Sequence, residues 1–457
     1  MKSNITNNLM NKKAAFLSLG CKVNAYETES MKQRFASFGC QIVDFKEYAD
    51  IYVVNTCTVT AIAGRKSRQM LRRAKQLNPD AIIVATGCYV QESYESLKEE
   101  DYVDILVGNR LKNKITDYVN EFIAAGEKQV DVHVSENIEE FEEMTVISKS
   151  KHLRVDIKVQ DGCNQFCTFC IIPYARGRIS SRNPESVINE VKGLAERGFK
   201  EVVLTGIHLS SYGLEDYSVK EQRELKTENG DIPLLDLIES INAIEGIERI
   251  RIGSVEPRVI TEEFVKRLTN SEKFMPHFHL SLQSGCDSVL KRMNRKYDTA
   301  RYLEACEVLR KYYYKPSITT DIIVGFPGET EEEFEVTRAY AETVGFAAIH
   351  IFPYSRREGT VADKMEGQLT GDVKADRLKE LSKVEERLRA EYENSFDGEI
   401  RPVLVEEKTI LNGTEYCVGH TPEYVKVYFK DAFCKVNDTV DVRMTDKRFS
   451  DGVEAVS

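Results

Sequence analysis

The sequence predicts an α/β protein in three parts: an N-terminal open, mostly parallel α/β domain, a central partial barrel and a small C-terminal all-β domain. Two observations support this prediction. Short apolar stretches alternate with helix-like stretches from residue 14 to about 125, and again from about 152 to 360. After residue 394 only short strand-like stretches with turns remain. A chain of 457 residues is also too long for one core.

Composition narrows the class of protein. Hydrophobic residues make up 42% and charged residues 30% of the chain, as in ordinary globular proteins. No apolar run is long enough to cross a membrane, and the polar start lacks the apolar region of a secretory signal. We therefore expect a cytoplasmic protein with no membrane partner. In a reducing compartment, eleven cysteines argue for metal binding or catalysis rather than disulfides. Because the net charge is −11, a nucleic acid would have to meet a local basic patch.

The N-terminal part, placed at 14–127, contains three apolar stretches bounded by Gly, Asn or Thr. They predict the strands "AAFLSLG" (14–20), "IYVVNT" (51–56) and "AIIVATG" (81–87). Helix-like stretches at 26–39 and 63–77 follow the first two strands, which is typical of a parallel sheet with helices on its faces. An acidic tract around 136–144 then predicts a linker over 128–150.

The central part, placed at 151–370, repeats the alternation about six times. Its strand candidates are "LRVDIKVQ", "KEVVLTG", "IERIRIGSV", "HFHLSLQ", "SITTDIIVGF" and "FAAIHIFPY". The helix predicted over 183–198 has Asn183 as its cap and Pro184 at its first position. Since six units are too few for a closed eight-stranded barrel, we predict a (β/α)6 partial barrel.

The last part, placed at 371–450, predicts a charged helix over about 371–394 and then a small all-β domain. The strand candidates of that domain are "EIRPVLVEEK", "EYCVGHTPEYVKVYFK" and "DTVDVRM".

Three cysteines in eight positions, Cys163, Cys167 and Cys170, follow the first strand of the central part. Ligands of α/β proteins bind at this carboxyl end of the strands. Structural zinc needs four protein ligands, and no second Cys or His pair follows at zinc-finger spacing. Thiolates also hold cubane iron–sulfur clusters, in which three thiolates leave one iron open to an exogenous ligand. We favour such a cluster, with zinc and incidental core cysteines as alternatives.

A second cysteine trio lies in the N-terminal domain, where Cys21, Cys57 and Cys88 each follow one of the three predicted strands. Their separations match no metal motif. In one parallel sheet, however, the carboxyl ends of the strands meet at a single edge. The sequence therefore indicates a second cluster, with apolar burial of the thiols as the alternative.

The C-x3-C-x2-C spacing, with Phe169 before the last cysteine, on the first loop of a six-unit partial barrel, resembles the radical S-adenosylmethionine (SAM) enzymes. The stretches "LGCKVNAYETE", "NTCTVT" and "TGCYVQ" ahead of it resemble, more narrowly, the methylthiotransferase family. This resemblance covers roughly residues 14–445. It implies two [4Fe–4S] clusters, SAM as the exogenous ligand, a central barrel of the radical SAM type and a C-terminal β-barrel of the TRAM type.

The same resemblance implies roles for six cysteines. An auxiliary cluster would be held by Cys21, Cys57 and Cys88, and a radical cluster by Cys163, Cys167 and Cys170. The other five match no family ligand, and we expect packing or surface thiols at Cys40, Cys286, Cys306, Cys417 and Cys434.

Polar or small residues at the barrel strand ends are candidate SAM contacts besides Phe169. They are Thr205, Gly206, Ser254, Glu256, Gln283 and Gly325. Ordinary turn or cap roles are the alternative for each of them, and no side chain stands out as an acid or base.

Within the family, substrates include an isopentenyl- or threonylcarbamoyl-modified adenosine beside the tRNA anticodon and an aspartate of a ribosomal protein. "GCKVNAYETE" and "NTCTVTAIAGRKSRQ" look like the threonylcarbamoyladenosine class. The isopentenyl class usually has Met-Asn and an acidic-Ser pair where this chain has Val23-Asn24 and Tyr26-Glu27. The resemblance thus implies methylthio insertion at carbon 2 of N6-threonylcarbamoyladenosine at tRNA position 37. In that reaction one SAM supplies the methyl group and a second supplies the radical. The alternatives are the other two substrates and, from another class, a non-catalytic metal-containing RNA-binding protein.

Basic residues after Cys57 predict an RNA surface. On a helix, Arg65, Arg68, Arg72 and Lys75 share one face, where phosphates of a tRNA anticodon stem-loop would bind; a solvated helix face is the alternative. Further candidates are Arg176, Arg178, Arg182, the segment Lys291 to Lys296, and the alternating Tyr424, Lys426, Tyr428 and Lys430. For that last set a sheet-edge solubility pattern is the alternative. We also expect an electron-donor protein as a partner and a monomeric chain.

Overall fold

The computed structural model describes residues 8–132, 140–146, 154–225 and 231–457. It has the three-part α/β architecture that the sequence predicts. Within the predicted linker, residues 133–139 and 147–150 lie outside the described residues, as do 151–153 at the start of the central part. None of the helices described is both long and apolar enough to span a bilayer.

The N-terminal domain is a parallel sheet of six strands in the order β2-β1-β3-β4-β5-β6. Its strands are β1 (Lys13–Ser18), β2 (Gln41–Val43), β3 (Ile51–Thr56), β4 (Ile82–Gly87), β5 (Ile105–Val107) and β6 (Gln129–Asp131). Its helices are α1 (Lys22–Ser37), α2 (Ala61–Leu77), α3 (Cys88–Leu97) and α4 (Ile115–Ala125). Every residue of β3 is buried, which explains why its sequence does not alternate between apolar and polar residues. The sequence analysis did not identify β2, β5 and β6, because a strand of three residues shows no readable alternation.

Two parts of the predicted linker over 128–150 belong to the folded structure. They are β6 in the first sheet and residues 140–146. Met144 and Val146 are buried in the apolar core of the N-terminal domain. The Val146 amide donates to Glu190 at 2.8 Å, and the Tyr26 hydroxyl donates to the Met144 carbonyl at 2.6 Å. These seven residues therefore act as a strap between the first two domains.

The central domain is a partial barrel of six parallel strands in the order β7-β9-β10-β11-β12-β13, with the short β8 antiparallel to β7. Its strands are β7 (Arg154–Asp161), β8 (Ser180–Ser181), β9 (Glu201–Gly206), β10 (Arg249–Ile252), β11 (His277–His279), β12 (Ser317–Val324) and β13 (Ala348–Pro353). Its helices are α5 (Ile172–Ala175), α6 (Pro184–Glu196), α7 (Val219–Glu224), α8 (Pro233–Asn242), α9 (Glu262–Leu268), α10 (Asp287–Arg292), α11 (Thr299–Tyr312) and α12 (Glu331–Val344). The six predicted βα units of the barrel are thus confirmed.

Alternate strand residues point outward to the helices and inward to the lumen of this barrel. On β12, Ile318 and Ile322 belong to the large apolar core shared with the helices, so Thr319 and Asp321 face the lumen. In the described residues β7 and β13 do not pair, and α1 of the N-terminal domain covers the lumen face of β7. Glu27 of α1 accepts a bond from Lys158 of β7 at 2.8 Å.

The C-terminal domain follows the long helix α13 (Gly371–Asn394), whose N-terminus is capped by Thr370. It is a closed barrel in the order β14-β15-β16-β18-β17, in which only β16 and β18 run parallel to each other. Its strands are β14 (Ile400–Leu411), β15 (Thr414–His420), β16 (Lys426–Lys430), β17 (Thr439–Phe449) and β18 (Gly452–Val456). The small all-β domain of the sequence analysis is confirmed.

One segment of the C-terminal barrel closes the floor of the central barrel. Arg251 donates to the carbonyls of Pro422 at 2.8 Å and Thr421 at 3.1 Å. Tyr424 stacks between His277, at 4.7 Å, and His420, at 4.4 Å between ring centroids. Tyr424 therefore does not share an exposed RNA-facing row with Lys426 and Lys430, as the alternation suggested. Its left-handed backbone, with φ of +70°, turns the ring toward the central barrel.

Two of the five remaining cysteines differ from the prediction. Cys417 and Cys434 form a disulfide, whereas the composition argued against disulfides. Cys417 lies on β15 and Cys434 lies beyond β16, and the fold of the small barrel brings them together. The other three, Cys40, Cys286 and Cys306, are buried free thiols, as the packing interpretation expects.

Candidate functional site

The N-terminal thiols are gathered by the topology of the first sheet. Cys21 precedes α1 and follows β1 after two residues, Cys57 follows β3 directly, and Cys88 is the first residue of α3 after β4. Strands β1, β3 and β4 are neighbours, so their carboxyl ends bring the three cysteines to one edge. We refer to these three residues as the auxiliary trio.

Close packing confirms that the auxiliary trio meets. Gly20 has a φ of +97°, and a Cβ on it would lie 2.6 Å from the Cys57 sulfur, so glycine is required before Cys21. Burial, together with the neighbouring Cys88 and Cys21 thiols, raises the pKa of the Cys57 thiol to about 11. Solvent reaches Cys21, yet desolvation by the surrounding protein also raises the pKa of its thiol. Without a metal, the Cys21 and Cys57 thiols are protonated at neutral pH.

The second trio, Cys163, Cys167 and Cys170, is held by a single loop after β7, and we call it the loop trio. A Cβ on Gly162, whose φ is +70°, would lie 1.8 Å from the Arg178 carbonyl oxygen, so the loop needs glycine at its start. Burial and the Cys167 thiol raise the pKa of Cys170 to about 12, and burial raises that of Cys163 well above its usual value. The Thr168 amide donates to the Met293 carbonyl at 3.1 Å, which ties the loop to the end of α10.

The spacing of the thiols tests which metal group fits. Among the described residues, neither trio brings all three sulfur atoms within 4.8 Å of one another. Three thiolates on one zinc ion, each about 2.3 Å from it, would be about 3.8 Å apart. The wider spacing suits thiolates that bind different irons of a cubane, and both donor sets fit an iron–sulfur cluster with one open iron.

Each trio has one arginine that donates to a thiol sulfur. Arg176 Nε lies 3.2 Å from the Cys88 sulfur, and Arg295 Nη1 lies 3.1 Å from the Cys167 sulfur. Both guanidinium groups place positive charge beside thiols that would become thiolates if they bound a metal.

Arg176 belongs to a fully buried network of charges. It donates to Glu27 and Asp161 at 3.0 Å and to Asn24 at 2.6 Å, and Lys158 joins both carboxylates at 2.8 and 2.6 Å. Despite burial, these cations hold the pKa of Glu27 well below its usual range. With Lys112 3.0 Å from Glu27, three buried cations surround these two carboxylates close to the auxiliary trio.

The RNA-surface interpretation of two arginines is therefore wrong. Arg176 and Arg182 are buried, at 2% and 1% exposure, because Arg176 is paired with Glu27 and Asp161, and Arg182 with Glu190. Arg178 is only half-buried and lies over the Phe166 ring. Sequence reasoning missed the thiol contact of Arg176, since its partners are 88 and 149 residues distant.

The two trios lie close to each other where the first two domains meet, and we call the region between them the cleft. The nearby Cys88 thiol contributes to the raised pKa of Cys170, and Asn109 of the first domain donates to the Ala175 carbonyl at 2.7 Å. On the other side, Arg357 after β13 contacts Glu92 of α3 at 2.6 Å. These contacts fix the first sheet over the carboxyl end of the central barrel.

Comparison with known proteins agrees with this geometry. The radical SAM superfamily profile matches residues 157–341, and that of an uncharacterised family, UPF0004, matches 13–108. The chain is 40% identical to the threonylcarbamoyladenosine tRNA methylthiotransferase MtaB of Bacillus subtilis (strain 168), over 94% of this chain and 93% of the relative. It is 32% identical to the tRNA-2-methylthio-N(6)-dimethylallyladenosine synthase of Clostridium novyi (strain NT), over 97% and 96%. The chain belongs to the radical SAM methylthiotransferase family.

A solved structure supports the fold alone. The radical SAM methyltransferase TsrM of Kitasatospora setae covers 75% of this chain and 73% of its own, with a TM-score of 0.55 and 14% identity.

The methylthiotransferase family uses [4Fe–4S] clusters and SAM, and the predicted SAM contacts lie around the loop trio in different settings. Phe169 packs beside Phe326, Thr205 is buried at the end of β9, and Ser254 is exposed. Gly206 packs against Gln160, where a Cβ would come within 2.9 Å of that side chain. Gln283 has a φ of +76° and pairs through its backbone with β12.

Glu256 has the most developed surroundings of the predicted SAM contacts. This carboxylate is buried and ion-paired with Arg258, while Arg295 and His208 each lie 3.5 Å away. Despite burial, His208 and the arginines hold its pKa well below the usual range. Gly325, by contrast, packs under Lys374 of α13, so it serves the turn into α12.

Only part of the basic face predicted on α2 is available to RNA, because three of its four side chains contact other protein groups. Arg65 is exposed, and with Arg68, Arg72 and Arg73 it lines an open depression of about 690 Å³. Arg68 donates to the Tyr89 hydroxyl at 2.5 Å, and Arg72 lies 3.6 Å from Glu100. Lys75 lies 3.6 Å from Asp104 and points to the end of α2 farther from Cys57. The basic surface is therefore strongest near the auxiliary trio.

Proposed function

We propose that the chain is a tRNA methylthiotransferase that inserts a methylthio group at carbon 2 of N6-threonylcarbamoyladenosine at position 37. The observation that carries this proposal is the meeting of two three-thiol sets at one cleft, with Cys88 near Cys170. One set suits SAM cleavage and the other suits sulfur delivery. A base held in the cleft would reach both.

The cysteines have separate roles in this proposal. The auxiliary cluster is held by Cys21, Cys57 and Cys88, and the radical cluster by Cys163, Cys167 and Cys170. When bound, a cluster with an open iron supplies reductive cleavage of SAM to a 5′-deoxyadenosyl radical.

The protein supplies position, charge and exclusion of water. Arg295 and Arg176 balance the thiolate charge on either side of the cleft. The buried network around Glu27 holds the two domains in one arrangement, so the distance between the trios is fixed. Thr205, Glu256 and Phe169 border the SAM side.

The threonylcarbamoyl substrate is favoured by similarity. Identity is 36–40% to the relatives named for threonylcarbamoyladenosine and 32–36% to those named for dimethylallyladenosine. The exposed Arg65 and its neighbours on α2 offer phosphate contacts for the anticodon stem-loop beside the auxiliary trio. We further propose a monomeric, cytoplasmic enzyme that takes electrons from a separate donor protein.

The test is nucleoside mass spectrometry on tRNA that carries N6-threonylcarbamoyladenosine. The tRNA is incubated anaerobically with cluster-loaded protein, SAM and a reductant, and we expect a gain of one methylthio group on that nucleoside. Formation of 5′-deoxyadenosine without this product would overturn the substrate and redirect the assay to isopentenyladenosine tRNA and ribosomal protein. If neither product formed, the chain would be a metal-containing RNA-binding protein.

A further inference from the structure

Three potential metal ligands on neighbouring strands lie inside the central barrel, apart from all six cluster cysteines. His279 ends β11, Asp321 is in β12 and His350 is in β13. Their ligand atoms, one from each side chain, all lie within 4.8 Å of one another, and the described residues contain no other such group of three.

Strand register fixes this arrangement. His279 pairs with Thr319, and Asp321, two residues farther along the same face, pairs with His350. Because side chains alternate along strands, all three point to the lumen, while Ile322 points to the helices. Asp321 and His350 each lie three residues before the end of their strand, so the group lies roughly 10 Å below the carboxyl ends of β12 and β13.

The distances and the orientation of the His279 ring suit a metal ion. His279 Nε2 lies 3.3 Å from an Asp321 carboxylate oxygen, and two donors bound to one ion at about 2.1 Å would be about 3.4 Å apart. His279 Nδ1 is 2.9 Å from the Thr319 hydroxyl, a second contact that orients the ring with Nε2 toward the site. The His350 ring lies 5.7 Å from the His279 ring, in a stacked arrangement.

We propose that His279, Asp321 and His350 bind a divalent transition-metal ion in the barrel lumen. Two imidazoles and one carboxylate are intermediate ligands that suit Mn²⁺, Fe²⁺ or Zn²⁺. The side chains of His279 and Asp321 are 15% and 31% exposed, and His350 is exposed. The ion therefore keeps open positions for water or for an oxygen ligand of a molecule in the lumen.

The competing explanation is a simple ion pair between His279 and Asp321 with His350 stacked beside it. The two explanations differ at His350, since an ion pair does not need that residue. His350 is exposed on an edge strand, so its replacement leaves the apolar core unchanged.

The experiment measures Mn²⁺ binding to the full chain with both clusters loaded and oxidised, since [4Fe–4S] clusters in that state are diamagnetic. Loss of the free Mn²⁺ electron paramagnetic resonance signal reports binding, without tRNA or SAM. We expect one Mn²⁺ per chain in the parent protein and binding weakened about tenfold or more in His350→Gln and Asp321→Asn. His420→Gln is the matched control, because His420 also pairs with a carboxylate, Glu406, at 2.8 Å.

The control variant should keep one Mn²⁺ per chain. The proposal is overturned if the parent protein takes up no stoichiometric Mn²⁺, or if His350→Gln and Asp321→Asn bind it as tightly as the parent. Cluster absorbance and circular dichroism of each variant show whether the fold is retained. Since the site shares no residue with the thiol trios, its failure would leave the proposed function standing.

Discussion

The two thiol sites each gather three cysteines, but they do so by opposite routes. The loop trio lies within eight consecutive residues, whereas the auxiliary trio spans three strands and three loops between Cys21 and Cys88. Both sites nevertheless have three thiols, a positive-φ glycine before the first of them and one arginine on a sulfur. The loop trio can therefore be recognised from the spacing of its cysteines alone. The auxiliary trio can be recognised only when the order of the strands in the sheet is considered.

The sharpest way to separate the two sites is to remove their thiols. Cys163→Ala, Cys167→Ala or Cys170→Ala should abolish 5′-deoxyadenosine formation, because the iron that binds SAM is lost. Cys21→Ala, Cys57→Ala or Cys88→Ala should leave that cleavage largely intact and block methylthio insertion. Chromatography of both products gives the answer. Loss of tRNA affinity alone in both sets would contradict the catalytic assignment.

The arginine of the auxiliary site should matter most for stability. Arg176→Met leaves Glu27 and Asp161 buried with fewer cations, so we expect the free energy of unfolding to fall by about 3–5 kcal/mol. Denaturant unfolding of the cluster-loaded chain measures it. Arg178→Met is the matched control, since this half-buried side chain stacks on Phe166, and its loss should cost about 1 kcal/mol or less. Equal losses in both variants would argue against the buried network.

The arginine of the radical site should tune the cluster. Arg295→Gln replaces a charged donor to the Cys167 sulfur, which disfavours the more negative reduced state. A charged hydrogen bond of about 1.5–3 kcal/mol corresponds to a downward shift in reduction potential of roughly 60–130 mV. Redox titration followed by electron paramagnetic resonance measures the shift. Lys296→Gln, at an exposed neighbour, should not change the potential, and an unshifted potential in Arg295→Gln would exclude this role.

Lower pH should weaken cluster binding at both thiol trios. The pKa of Cys57 is raised to about 11 and that of Cys170 to about 12, so cluster binding must displace protons from the thiols. Cluster retention against a chelator should therefore increase as pH rises through neutrality, by up to about three powers of ten in affinity per pH unit for three thiols. Iron release by each site, isolated by the cysteine variants above, measures this. If cluster retention did not change with pH, the raised pKa values would be contradicted.

The smallest effect belongs to the surface next to the auxiliary site. Arg65→Ala should weaken tRNA binding modestly and lower the salt dependence of log K by about one phosphate contact. Arg72→Ala should have a smaller effect on tRNA binding, because the charge of Arg72 is already partly balanced by Glu100. Filter binding over a salt series distinguishes them, and an unchanged slope in both variants would exclude α2 from the RNA surface.

The sequence was sufficient where the signal is local. The strands of the barrel, the cap of α6 at Asn183 and the C-x3-C-x2-C loop all follow from short patterns. Long-range pairing was not readable, and Arg176 was therefore mistaken for a surface residue. Gly325 illustrates another limit, since its neighbour Lys374 belongs to a distant helix. The cysteine ligands and SAM contacts remain predictions.

The contact of Tyr424 with His277 bears on the design of truncated variants of this chain. The last domain supplies the bottom wall of the reaction chamber, so it is not a detachable accessory. Truncation after α13 would expose the buried Arg249 and Arg251 at the underside of the barrel, because both donate to backbone carbonyls of the last domain. A minimal enzyme should therefore retain the chain through β18.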